Sequence, residues 1–192
     1  MRRSLSYLII PLLFVAGYYF FLSVYPAQMI APQTATSTIP IRQLAESATG
    51  TDVYIPPAPT KTRGCTARGP LPDPECTPGA VFPAATKDEI CIKGYSASVR
   101  NVSVETKKQV YASYGIFSHV TGEYEVDHLI SLELGGSNDV ANLWPEAANP
   151  TPGFHQKDEL ENTLHDKVCS GAMTLGEAQK IIATDWLPAW KK

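Results

Sequence analysis

A chain of 192 residues has room for one domain of ordinary size, and its apolar start uses part of that length. From Thr86 to Lys192 there are ten Lys or Arg and fifteen Asp or Glu, a formal balance of −5. Nucleic-acid binders draw much of their affinity from basic faces that neutralise phosphate, so this balance argues against a DNA-binding account resting on charge alone.

Leu5 to Val24 carries no charge, is rich in Leu, Ile, Phe and Tyr, and follows the basic pair Arg2 and Arg3. Roughly 20 helical residues at ~1.5 Å each cover the ~30 Å of a bilayer core. Residues 1–25 are expected to be a membrane anchor, in contact with the bilayer through residues 5–24, or a signal sequence if they are removed. Cleavage after Ala27 would put Tyr25 three residues before the cut, and cleavage after Ala31 would put Pro32 directly behind it, which favours the uncleaved anchor. With the Arg pair held in the cytoplasm, the chain is a single-pass membrane protein whose C-terminal domain lies outside, or a secreted one if cut.

Residues 26–85 are crowded with Pro, Thr, Ser and Ala, including Pro56, Pro57, Pro59, Pro70, Pro72, Pro74 and Pro78. Proline removes backbone donors and favours extended chain, so this stretch is expected to be a stalk, its end near Cys65 and Cys76 pinned to the domain. The four cysteines include no C-x-x-C pair and suit an oxidising compartment. Of three possible pairings, the expected one joins Cys65 to Cys76 across a short loop and Cys91 to Cys169 across the ends of the domain.

The folded unit is expected over residues 86–192, with an α+β composition. Ile90 to Arg100, carrying Ile92, Tyr95 and Val99, reads as short strands. Ser103 caps a helix through Val104, Val110 and Tyr111 that Gly115 stops. Ile130, Leu132 and Leu134 alternate with Ser131 and Glu133, predicting a strand with one buried face, and Gly135-Gly136 predicts the turn of a hairpin. Leu160, Leu164 and Val168 mark a helix after Pro152-Gly153 that ends at Gly171. Thr174 and Glu177 form a capping box for a last helix through Ala178, Ile181 and Ile182. The central order is strand, turn, strand, helix.

Asp127 and His128 stand side by side at the start of this apolar segment, where adjacent side chains can divide labour between metal and water. Asn142 follows fourteen residues later and His155 thirteen beyond it, at the start of the next helix. A neutral imidazole and a carboxylate-plus-imidazole cation site are what phosphodiester hydrolysis asks for. The run Asp127-His128-Leu129-Ile130 through Gly135-Gly136 to Asn142-Leu143 resembles the DH, GG and NL signature of HNH endonucleases, over roughly Glu123 to His165. That resemblance implies a ββα-metal hairpin-plus-helix core with extra flanking helices. It implies Asp127 and His155 as ligands of a divalent metal (Mg, Mn or Zn), His128 as general base, and Asn142 as the residue that ties the loop and orients the base. Asp158, Glu159 or Asn162 can share the face of His155 as a further partner. The chain lacks the C-x-x-C pairs with which many HNH domains hold a structural zinc.

The implied activity is a metal-dependent endonuclease cutting DNA or RNA outside the cytoplasm, with nucleic acid as substrate and no small-molecule cofactor. It requires Asp127 and His155 to converge and the imidazole of His128 to reach water. The rival expectation, favoured by the acidic balance and the stalk, is a non-catalytic extracytoplasmic module that keeps the HNH-like scaffold to bind a protein or the cell envelope. His119 and His165 read as structural or exposed, and Trp144, Trp186 and Trp190 as packing residues.

Overall fold

The structure is a computed structural model that describes residues 54–191. The expected anchor at residues 1–25 and the first half of the stalk lie outside the described residues. Among the described residues no helix is long and apolar enough to cross a membrane.

The fold is α+β. Helices α1 (Lys87–Ile90), α2 (Tyr95–Val99) and α3 (Val104–Ser113) come first. An antiparallel pair follows, β1 (Tyr124–His128) and β2 (Leu143–Ala147), in the register Val126 to Pro145 and His128 to Leu143. Three helices complete the chain: α4 (Phe154–Ser170), α5 (Leu175–Thr184) and α6 (Leu187–Trp190). A strand pair followed by a helix stands at the centre, with its first strand earlier in the chain than predicted.

The caps explain most helix ends. Ser103 accepts from Thr106 N and starts α3. Thr174 and Glu177 close a reciprocal capping box on α5, and Gly171 ends α4 in the left-handed region. Inside α4, Leu160, Leu164 and Val168 pack with Ile90, Ile130, Leu134, Ile182 and Trp186 into the principal core.

Two expectations about elements are corrected. The segment expected as strands from Ile90 to Arg100 holds none. Thr86 and Glu89 form a capping box for α1, a turn follows over residues 91–94, and Tyr95–Val99 is the short helix α2. The apolar run Ile130 to Leu134 is not the first strand either; that strand ends at His128. Ser131 caps a single 3-10 turn at Leu132–Leu134, and Leu129, Ile130, Leu132 and Leu134 are all buried because the loop folds inward. Gly135-Gly136 is therefore not a hairpin turn. A Cβ on Gly136 would lie 1.8 Å from the carbonyl oxygen of Ile130, so only glycine lets the loop close on itself.

The expected domain boundary at residue 86 lies inside the packed unit. Tyr54 N donates to Gln179 Oε1, Gly79 N to the carbonyl of Ala141, Phe82 N to that of Gly135, and the indole of Trp186 to the carbonyl of Pro70. The proline-rich chain from Tyr54 onward is thus a strap across the domain. The bridges Cys65–Cys76 and Cys91–Cys169 pair as expected.

Candidate functional site

β1 delivers Asp127 and His128 to the end of the hairpin, and the loop behind them is held by Asn142. This amide is fully buried: Oδ1 accepts from Ile130 N at 2.9 Å, and Nδ2 donates to the carbonyls of Ile130 and Ser137, each at 2.9 Å. Leu129 N adds a bond to the carbonyl of Asn142 at 2.8 Å. The clamp keeps the exit of β1 against the entry of β2.

His128 is buried, with 2% of its surface exposed. Its Nε2 lies 3.2 Å from Asn138 Oδ1, which also accepts from Asn101 N, while Asn138 Nδ2 donates to the carbonyl of Val99. An oxygen that only accepts sets the tautomer, with the proton on Nε2. Asn138 thereby links the ring to the end of α2 and the turn after it. Burial lowers the imidazole below its ordinary range, against the opposing pull of Asn138 and Asp127, and keeps it neutral.

Asp127 does not stand free for a cation. Lys157, buried on the first turns of α4, places Nζ 2.6 Å from Asp127 Oδ2, 2.8 Å from the carbonyl oxygen of His128, in contact with Glu161 Oε1, and 3.8 Å from Glu146 Oε2. One ammonium thus sits among three carboxylates from β1, β2 and α4. Burial by itself would lower Lys157, but Asp127, Glu161 and Glu146 outweigh it and hold the ammonium charged well above its ordinary value. Burial would likewise raise Asp127, yet the charge and hydrogen bond of Lys157 keep it below the usual range. Glu161 is pushed by burial up to about 7, against the pull of Lys157.

Glu146 is the third acidic side chain beside the ammonium. It is wholly buried with no hydrogen-bond donor on either oxygen. Burial raises it well above the ordinary carboxylate value, against the pull of Lys157.

Beside this cluster lies a polar cleft of about 390 Å³ lined by Arg100, Lys107, Tyr111, Tyr124, Glu125 and Asp158, with Asp127 and Glu161 at its base. Burial raises both Glu125 and Asp158, with the charge of Asp127 next in effect on each. His155 is exposed on the first turn of α4, its ring against Phe154 and near enough to Glu125 and Asp158 to act on both.

The divalent metal implied by the sequence resemblance does not fit the residues as they stand. The Oδ2 of Asp127 is committed to Lys157, and His155 joins no ligand cluster with it. Among the described residues one group of three or more His, Cys, Asp or Glu brings its ligand atoms within 4.8 Å: Cys91, His165 and Cys169. There the two sulfurs are already joined, and His165 Nε2 donates to the carbonyl of Ile90. A disulfide lacks the thiolates that would bind a soft metal.

Of the residues singled out in the sequence, the structure brings Asp127, His128 and Asn142 together and leaves His155 at the rim. It adds Lys157, Glu146, Glu161 and Asn138. Lys157 had a signal: it lies between Phe154 and Leu160 on the apolar face of α4 and four residues before Glu161. Glu146 and Asn138 had none, since their roles depend on segments that meet only in the fold. Comparisons with family models, with curated proteins and with solved structures gave no match for the chain.

Proposed function

We propose that the folded unit is an extracytoplasmic binding module on an HNH-like ββα frame, tethered through residues 5–24, which takes a charged, polar group of a protein or the cell envelope in the cleft beside Asp127. The observation that carries this reading is the burial of His128 at 2% exposure, its ring linked through Asn138 to the end of α2. A general base must come within hydrogen-bond reach of its water. The cleft supplies the binding chemistry: Arg100 and Lys107 for anionic groups, Glu125 and Asp158 for cationic ones, Tyr111 and Tyr124 for stacking and hydrogen bonds.

The test uses the purified full chain in detergent. Co-sedimentation with isolated cell envelopes, lost in Arg100→Glu, is the expected result. Incubation with plasmid DNA and with RNA, in Mg²⁺, Mn²⁺ or Zn²⁺, is expected to give no cleavage. Cleavage that disappears in His128→Ala would replace this reading with the other.

The second reading is the HNH-type endonuclease itself, a phosphodiester hydrolase acting on DNA or RNA. The neutral imidazole of His128 favours it, as do Arg100 and Lys107 on the cleft, which suit a phosphate. In that case Nδ1 of His128 would deprotonate the water, Asn142 would keep the loop in place, and the ring would have to become accessible.

A further inference from the structure

We infer that Cys91, Cys169 and His165 form a redox-gated zinc site, closed while the two sulfurs are bridged and opened when a dithiol reduces them. The inference is independent of what the cleft binds.

The ligand atoms of these three half-buried residues all lie within 4.8 Å of one another. His165 and Cys169 are four positions apart on α4 and share one face of it, and Cys91 directly follows α1. One distance tests the fit. Zinc–sulfur bonds of ~2.3 Å and zinc–nitrogen bonds of ~2.0–2.1 Å, set at the tetrahedral angle, place a nitrogen and a sulfur ligand ~3.5 Å apart. His165 Nε2 and Cys169 Sγ already stand 3.5 Å apart. Nδ1, which keeps the ring proton when Nε2 binds a metal, has the carboxylate of Asp166 at 4.0 Å. Two sulfurs and one imidazole nitrogen are the donors that zinc selects, and calcium or magnesium would prefer oxygen.

In the oxidised chain each sulfur is committed to the other. A dithiol attacks Cys91 Sγ, the S–S bond breaks, and Cys169 leaves as a thiolate beside the Nε2–H of His165. The second thiol of the reductant then displaces Cys91 and the reductant departs as a disulfide, so two electrons and two protons pass to the chain. Zinc takes the two thiolates and Nε2, releasing the two thiol protons, while the ring proton moves to Nδ1. Two thiolates match the charge of the ion, and its fourth position is left to water. The tie between the end of α1 and α4 is thus covalent in one state and coordinate in the other.

In the experiment the full chain in detergent is reduced with dithiothreitol, freed of it by gel filtration under nitrogen, and titrated with Zn²⁺ and with Co²⁺. Wild type should bind one ion per chain only after reduction, with the thiolate-to-cobalt charge-transfer band and intense visible bands of a tetrahedral site. Zinc should restore part of the Tm that reduction removes. His165→Ala should change the cobalt spectrum and weaken binding by more than the ~10–100-fold that loss of an outer partner of a metal site costs. The double variant Cys65→Ser, Cys76→Ser should bind as wild type does, and Cys91→Ser should not. Equal zinc affinity in His165→Ala, binding that depends on Cys65 and Cys76 instead of Cys91, or an ion held equally by the oxidised chain would each overturn the inference. So would a Cys91–Cys169 bridge that dithiothreitol leaves closed, or a reduced chain that saturating zinc does not stabilise.

Discussion

The side chain of Asn142 makes to Ile130 the two hydrogen bonds that a neighbouring strand would make, accepting from its N–H and donating to its carbonyl, both at 2.9 Å. A third bond, to the carbonyl of Ser137, uses the second amide hydrogen. The loop between β1 and β2 is in effect paired to a side chain. Asn142→Ala leaves three buried backbone groups unsatisfied, each costing ~1–3 kcal/mol if unpaired, with relaxation recovering part. Denaturant unfolding should show a loss of about 3 kcal/mol or more. A loss below ~0.5 kcal/mol, the size of an ordinary surface change, would mean that the clamp contributes nothing.

Gly136 is expected to be intolerant of any side chain. Its Cβ would sit 1.8 Å from Ile130 O and 2.9 Å from Ser131 O, both backbone atoms that cannot step aside. Gly136→Ala should destabilise by more than ~3 kcal/mol, or prevent folding. Gly122→Ala, where φ is 84° but nothing lies within 4 Å, should cost only ~1 kcal/mol for the strained backbone. Equal effects at the two positions would refute the close-approach argument.

The two disulfides should contribute unequally. Cys91–Cys169 joins residues separated by 78 positions and ties α1 to the end of α4, whereas Cys65–Cys76 closes a separation of 11. Constraint of the unfolded chain grows with loop length, so replacing the first pair by Ala should cost ~3–5 kcal/mol and the second ~2 kcal/mol less. Paired thermal melts of the two double variants would reveal the reverse order if local packing, and not chain entropy, dominates.

Glu161 should contribute stability that declines as pH rises from the unfolded glutamate range to neutrality, opposite in sign to His128, whose lowered value adds stability as pH rises through the ordinary histidine range. In the folded chain Glu161 is raised to about 7 by burial, so its neutral form is the favoured one there. The folded state then holds a proton that the unfolded state has released above pH ~4.3, and stability falls between those values. The contribution is fully present below pH ~4.3 and lost through pH 7, on the order of 1–3 kcal/mol. Glu146, raised by burial, acts in the same direction. The change in unfolding free energy from pH 5 to pH 8 in wild type should differ from that in Glu161→Gln by this amount, wild type losing more. An unchanged difference would place the titration elsewhere.

What could be read along the chain was what neighbours in sequence decide. The caps at Ser103 and Thr174, the stop at Gly171 and the apolar stripe of α4 each depend on residues within a turn or two, and each stands as expected. The alternation Ile130, Leu132, Leu134 misled because a buried 3-10 turn exposes none of these side chains to solvent, so period two carried no information about a strand.

The site was legible only in part. Asp127, His128 and Asn142 were recognisable because they crowd one strand end and its loop. Their surroundings were set by groups that only folding brings near. Asn138 ties the buried ring of His128 to the end of α2, and Lys157 crosses from α4 to Asp127, thirty positions earlier. Local sequence determines where each helix begins and ends, because capping and periodicity are short-range. The charge state and accessibility of a buried group come from every element packed around it, and here those are β1, β2, α2 and α4 together.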